Sequence, residues 1–197
     1  MKEVIILGKG PSHSQCFYDK EVWAVNDSYE FAKRIDKLFL TDTWEAFDLG
    51  WMKEAQARLK FEIVAPTPYP GLVVTPYPIE AVLLRFPTSF FTNTICYMIA
   101  YALLRGYRRI WLYGVDMLTH TSYIMEKGGV EYWMGVALGM GADVRNTPES
   151  ATGRTFNGKL YGCWGEKQGI IQQILSGYIS GNNTQEVDSN ARLVPVL

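Results

Sequence analysis

The sequence predicts a three-layer α/β/α domain on a mainly parallel sheet, and three observations carry that prediction. Short, almost continuous apolar runs of strand length recur along the chain. They alternate with longer stretches whose apolar residues repeat at helical spacing. Each strand-length run closes on glycine or on small polar residues. Continuous apolar runs belong to strands buried on both faces, and strand–helix alternation gives parallel βαβ units.

The first run is Glu3-Val4-Ile5-Ile6-Leu7, which stops at Gly8-Lys9-Gly10-Pro11-Ser12. Val22-Trp23-Ala24-Val25 is the second and ends at Asn26-Asp27-Ser28. Lys37-Leu38-Phe39-Leu40 is the third and ends at Thr41-Asp42-Thr43. A helix is expected over residues 45–59, and Ile63-Val64-Ala65 makes a fourth strand. Pro66, Pro68, Pro70, Pro76 and Pro78 then predict an extended loop over residues 66–78, either a lid or a surface crossover. Residues 93–105 form the clearest helix, because Ile95, Met98, Ile99, Ala102 and Leu103 share one face. Thr92 or Asn93 can cap its start and Gly106 its end.

Arg109-Ile110-Trp111-Leu112-Tyr113 is the next strand and ends at Gly114-Val115-Asp116. Val130, Trp133, Met134, Ala137 and Leu138 mark a further helix, and Ala142-Asp143-Val144 a weak last strand. Ile170, Ile171, Ile174 and Leu175 indicate a C-terminal helix. One domain over residues 1–180 is expected, with a polar tail over 181–197 whose apolar end could dock on another subunit in a homo-oligomer.

Composition narrows the function classes. The 197 residues carry 19 Lys and Arg against 20 Asp and Glu, a net charge of −1. That balance opposes broad electrostatic attachment to nucleic acid or to an anionic membrane. Apolar residues make up 48%, so a packed core rather than disorder is expected. No run is long enough for a membrane span, and no signal peptide is visible. Cys16, Cys96 and Cys163 are too few and too scattered for a disulfide framework or a zinc motif. A cytoplasmic protein is the expectation. The aromatic share of 14% suits either a heavily packed core or a pocket for planar groups.

In a parallel sheet all strand ends lie along one crevice, and there the chemistry collects. The Gly8–Ser12 loop is either a phosphate cradle or a tight strand-to-helix turn. It lacks the third glycine of a dinucleotide fingerprint and the Gly-Lys-Ser/Thr of a P-loop. Asn26, Asp42 and Asp116 can bind ribose hydroxyls or a base edge, or can cap turns. His13 follows the glycine loop, and His120 lies after Asp116. Glu126, read as lying in a loop before the helix, is a possible base, whereas Glu131 can simply complement a helix dipole. No Asp-x-Asp pair is present, so a metal-independent mechanism without a cofactor is expected.

The order of these motifs resembles the small bacterial lipooligosaccharide sialyltransferases, which use CMP-sialic acid. Val4 to Ser12 looks like that family's opening strand and Gly-Asn-Gly-Pro-Ser loop. Asn26 in Ala24-Val25-Asn26-Asp27-Ser28-Tyr29 is similar to its second strand end. Thr92-Asn93-Thr94 resembles its Thr-Ser-Gly helix start, and Tyr113-Gly114-Val115-Asp116 its Gly-Ile-Asp. Thr147-Pro148-Glu149-Ser150 looks like its Cys-Pro-Asn-Ser. Short phage and prophage proteins share the Phe-Thr-Asn-Thr and Tyr-Gly-Val-Asp-Met phrases. Lys9 and Asp42 stand where the family has asparagines. One of its two phosphate-supporting tyrosines falls on Leu118, the other on Tyr123. The family's lid histidine has no counterpart.

The resemblance implies a Rossmann-like, sialyltransferase-like fold and a glycosyltransferase with a CMP- or UDP-linked sugar donor. It places Gly8, Lys9, Gly10, Pro11 and Ser12 at the phosphates, with Asn26, Asp42, Thr92, Asn93 and Asp116 completing the nucleotide site. Tyr123 would bond the departing phosphate, and His120 or Glu126 would take the acceptor proton. The phage likeness suggests a hydroxymethylated base in phage DNA as one acceptor, against which the near-neutral charge weighs. The alternatives are a nucleotide-sequestering binder and a phage assembly protein of the same fold.

Overall fold

A computed structural model describes residues 1–118 and 121–154, with Tyr161 and Val194–Pro195 as short further pieces. The parallel strands are β1 (Glu3–Leu7), β2 (Glu21–Val25), β3 (Lys37–Phe39), β4 (Glu62–Ala65), β5 (Val74–Pro76), β6 (Arg109–Tyr113) and β7 (Asp143–Asn146). The order across the sheet is β5-β4-β3-β2-β1-β6-β7. A two-residue strand β8 (Val194–Pro195) adds antiparallel to β7. The parallel α/β expectation therefore holds. The order reverses between β1 and β6, which pair from Glu3↔Arg109 to Leu7↔Tyr113.

The parallel strands other than the exposed edge strand β5 bury both faces. Val4, Ile6, Trp23, Phe39, Ile110 and Leu112 meet helices α2 (Ile79–Arg85), α3 (Thr94–Leu104) and α4 (Thr121–Gly139). Ile5, Leu7, Ala24, Leu38, Leu40 and Ile63 meet α1 (Leu49–Leu59), through Met52 and Ala55. This two-sided burial is why the strands lack polar alternation. The aromatic surplus is largely core: Trp23 packs against Phe39, Tyr101 and Tyr107 at centroid distances of 5.3, 5.3 and 5.0 Å.

The helix over residues 93–105 is α3, with Asn93 as its cap and Gly106 at φ 78° just past its end. The expected helix over 45–59 starts later, at Leu49, because Asp48 accepts from Trp51 N at 3.0 Å and sets the cap there. A separate 3-10 turn covers Trp44–Ala46.

One expectation needs correction. The proline stretch 66–78 is not one loop, because Val74 to Pro76 pairs with Ile63 to Ala65 as the edge strand. Proline is tolerated at an edge, where no ladder donor is needed. Tyr69 and Tyr77 lie in loop segments and are buried, bonding the carbonyls of Asp42 and Tyr97. Trp111 is only partly buried, its indole N–H donating to Glu3 Oε2 at 2.9 Å. The expected helix at residues 170–175 and most of the 181–197 tail lie outside the described residues.

Two stability predictions follow from the backbone and the buried groups. Lys60 ends α1 at φ 57° and ψ 38°, a left-handed conformation in which glycine is unstrained. Lys60→Gly should raise unfolding stability by about 0.5–1 kcal/mol in urea melts. Burial raises the Cys16 thiol from 9.0 to about 11 and the Tyr69 hydroxyl from 10.0 to about 12. Both groups titrate more easily when unfolded. Stability should hold below pH 9 and fall as pH rises toward about 12, with Tyr69→Phe and Cys16→Ala flattening the slope.

Candidate functional site

Every parallel strand delivers its C-terminal end to one edge, and at the switch between β1 and β6 two loops interlock. Gly8 N donates to Tyr113 O and Gly10 N to Gly114 O, each at 2.8 Å. A Cβ on Gly8 would lie 2.4 Å from Gly114 O, and one on Gly10 only 2.3 Å from Asp116 Oδ2. Gly114 itself has φ 67°. The glycines are thus required by the contact of loop with loop, and the tight-turn explanation accounts for them.

Ser12 and Asp116 close the interlock. Asp116 Oδ2 accepts from Ser12 N at 2.9 Å, and Asp116 Oδ1 accepts from Ser12 Oγ at 2.5 Å. Ser12 Oγ in turn accepts from Gly114 N at 2.8 Å. Both side chains are buried, so they shape the crevice floor. His13 is held by Gly10 O at 2.9 Å and stacks on Phe31. Pro11 opens the following 3-10 turn, Pro11–Gln15.

The β2 and β3 ends meet beside this floor. Asn26 sits at φ 49°, an unusual conformation for a residue with a side chain. Its Nδ2 donates to Asp42 Oδ2 at 3.0 Å, while its Oδ1 is buried with no hydrogen-bond partner. Lys9 Nζ lies 2.7 Å from Asp27 Oδ1 across the same opening. Thr41 Oγ1 and Thr94 Oγ1 are 2.6 Å apart and tie the β3 end to the start of α3.

A third group forms where α3 meets α4. Asn93 Oδ1 accepts from Cys96 N, and Asn93 Nδ2 donates to Glu126 Oε2, both at 3.2 Å. Thr92 Oγ1 donates to Glu126 O at 2.9 Å. A Cβ on Gly129 would strike Thr92 Oγ1 at 2.0 Å, so this glycine permits the close approach. Glu126 lies within α4 rather than in a loop before it, which corrects its expected setting. His120 lies outside the described residues. Tyr123 falls in the first turn of α4, and its side chain lies outside the described part.

The loop after β7 supplies residues that pattern reading missed. Ser150 Oγ donates to Val115 O at 2.7 Å, and Ala151 N donates to Asp116 O at 2.8 Å. Glu131 Oε1 accepts from Lys127 Nζ and from Gly153 N, which clamps this loop to α4. Thr147 is buried, and its Oγ1 has no partner. Met117 adds a second left-handed residue at φ 51° beside Asp116. The only signal for this group in the sequence was the likeness of Thr147-Pro148-Glu149-Ser150 to a family phrase.

Fold and crevice define a class: an open α/β domain with a crevice at its topological switch point. No protein-family model and no curated protein matches the chain. Among solved structures, a variant of the sialyltransferase CST-II in complex with CMP aligns with TM-score 0.50 and 16% identity, over 76% of this chain and 83% of that one. CstII from Campylobacter jejuni in complex with cytidine-5'-monophosphate aligns with TM-score 0.48 and 18% identity, over 77% and 82%. The chain therefore has a sialyltransferase-like fold. Among the described residues, no helix is long and apolar enough to cross a membrane.

The interlock yields its own prediction. Asp116→Ala leaves two buried Ser12 donors without an acceptor and should cost about 2–3 kcal/mol in denaturant unfolding. Loss of less than about 0.5 kcal/mol, the range of ordinary surface changes, would contradict the role assigned to this pair.

Proposed function

We propose that this chain is a nucleotide-sugar-dependent glycosyltransferase whose donor lies across the β1–β6 switch. The observation that carries this reading is Asn26. It is strained, its amide nitrogen is held by Asp42, and its buried oxygen lacks a donor. Strain and an unpaired buried polar atom at one strand end mark a site built for something else to complete. The CMP complexes of its structural neighbours support the choice of a nucleotide.

In this reading Asn26 and Asp42 take the ribose and base. Lys9 exchanges its pairing with Asp27 for a phosphate, and the Gly8–Ser12 floor holds the backbone at the right depth. Asn93 and Glu126 face the sugar. The acceptor hydroxyl oxygen attacks the anomeric carbon while the bond from that carbon to the phosphate oxygen breaks. The hydroxyl proton passes to Glu126 or His120, and the nucleotide departs carrying the negative charge. Tyr123 donates a hydrogen bond to that departing phosphate. Donor linkage is to CMP or UDP.

Isothermal titration with CMP, UDP and GDP is the direct test. At least one nucleotide should bind, and Asn26→Gly should weaken it by about tenfold or more while relieving the backbone strain and leaving the melting temperature no lower. Absence of binding to all three overturns the reading. For catalysis, Glu126→Gln and His120→Gln are compared by donor turnover. The variant lacking the base should lose about 10²–10⁴-fold in rate with nucleotide affinity retained. A wild-type chain that binds a nucleotide sugar, never hydrolyses it and transfers nothing is a sequestering binder instead.

A further inference from the structure

A cavity lies between the face of α1 and the 3-10 turn Asn26–Glu30 that follows β2. Its volume is about 360 Å3, and Tyr29, Glu30, Trp51, Glu54, Ala55 and Arg58 line it. That size falls within the roughly 300–1,000 Å3 of small-molecule sites. Trp51, Glu54, Ala55 and Arg58 stand three to four positions apart and therefore share one stripe of α1. Ala55 is small and keeps the floor hollow. Tyr29 closes the opposite wall.

Two features of this lining are unusual. Trp51 is 62% exposed and stacks on no aromatic ring or cation among the described residues. Glu54 and Arg58 have the i,i+4 spacing at which opposite charges close on a helix, as Lys127 and Glu131 do at 2.6 Å. Yet neither Glu54, Arg58 nor Glu30 enters an ion pair among the described residues. A bare indole thus stands among acids and a guanidinium that leave each other free.

The chemistry of the lining selects the ligand. A cation over the indole would meet Arg58, and an anion at Arg58 would meet Glu30 and Glu54. A wholly apolar ligand would strip water from three charges and return nothing. A neutral sugar satisfies all of them. Its C–H face covers the indole, its hydroxyls donate to Glu30 and Glu54, and its oxygens accept from Arg58.

We propose that the groove between Trp51 and Tyr29 is a binding subsite for a neutral saccharide. The turn that forms one wall begins at Asn26, the residue at the β2 end of the proposed donor site. There it would hold the distal units of a glycan acceptor. The acceptor role rests on the transferase reading, whereas saccharide binding does not.

The test is saturation-transfer NMR on the whole chain without nucleotide. The probes are glucose, galactose, N-acetylglucosamine, lactose and maltotriose, with choline and inorganic phosphate as charged comparisons. Saturation should pass to C–H protons of at least one saccharide and fail with Trp51→Ala. Glu54→Gln should weaken binding by about tenfold. Both side chains are exposed, so melting temperatures should stay within the range of ordinary surface changes. No transfer from the unaltered protein, transfer undiminished in Trp51→Ala, or preference for choline or phosphate overturns the proposal. No nucleotide is present, so such a failure is separable from failure of nucleotide binding.

Discussion

The contact on which the crevice depends is backbone against backbone at the β1–β6 switch. Gly8 and Gly114 approach so closely that neither tolerates a Cβ, and Ser12 with Asp116 locks the approach from below. Parallel strands that diverge from a switch point would otherwise leave their first loops free to separate. Here a buried carboxylate gathers the N–H and hydroxyl of Ser12. Asp116 also presents its own carbonyl to Ala151. One residue therefore holds three loops, those after β1, β6 and β7, in register. Asp116 and Ser12 thus spend hydrogen bonds from both carboxylate oxygens, the Ser12 N–H and the Ser12 hydroxyl on holding the loops together.

From that lock the neighbouring groups take their places in sequence. The β2 end lies next to the Gly8–Ser12 loop, with Asn26 on Asp42 and Lys9 on Asp27. Tyr69, buried beneath the opening, bonds the Asp42 carbonyl and anchors the proline-rich passage to it. Thr41 on Thr94 passes the arrangement to α3, and Asn93 on Glu126 passes it to α4. Burial also pushes the hydroxyls of Tyr77, Tyr107 and Tyr113 above their ordinary range, so these rings stay neutral through physiological pH. The rings thus support the sheet and do not titrate with it.

Much of this was legible in residue order, because two-sided burial writes itself as apolar runs and strand ends announce themselves by polarity. The caps of α3 were legible for the same local reason, Asn93 before it and Gly106 after it. Three features were not. The edge strand Val74–Pro76 hides among prolines, whose meaning depends on whether a neighbour lies on the donor side. The helix expected after Glu126 begins well before it, with Gly128 and Gly129 inside α4, where Gly129 lets the helix press on Thr92. The role of Asp116 depends on a partner 104 positions away, and no local pattern carries that. Local propensity lost to tertiary contact in each case.

The open valences limit what can occupy the crevice. Among the described residues two buried side-chain oxygens stand without any close partner, Asn26 Oδ1 and Thr147 Oγ1. The first is an amide oxygen and can only accept, so an occupant must bring it a donor. Phosphate oxygens bring none at neutral pH, whereas ribose hydroxyls and amino-bearing bases do. In the proposed reading the phosphates therefore lie off Asn26, toward the cation of Lys9 and the start of α3, where backbone N–H groups of the first turn favour negative charge. A nucleotide laid that way runs from the β2 end across the switch toward α3. In that reading its sugar end falls nearest Asn93 and Glu126, which are joined by a hydrogen bond where α3 meets α4.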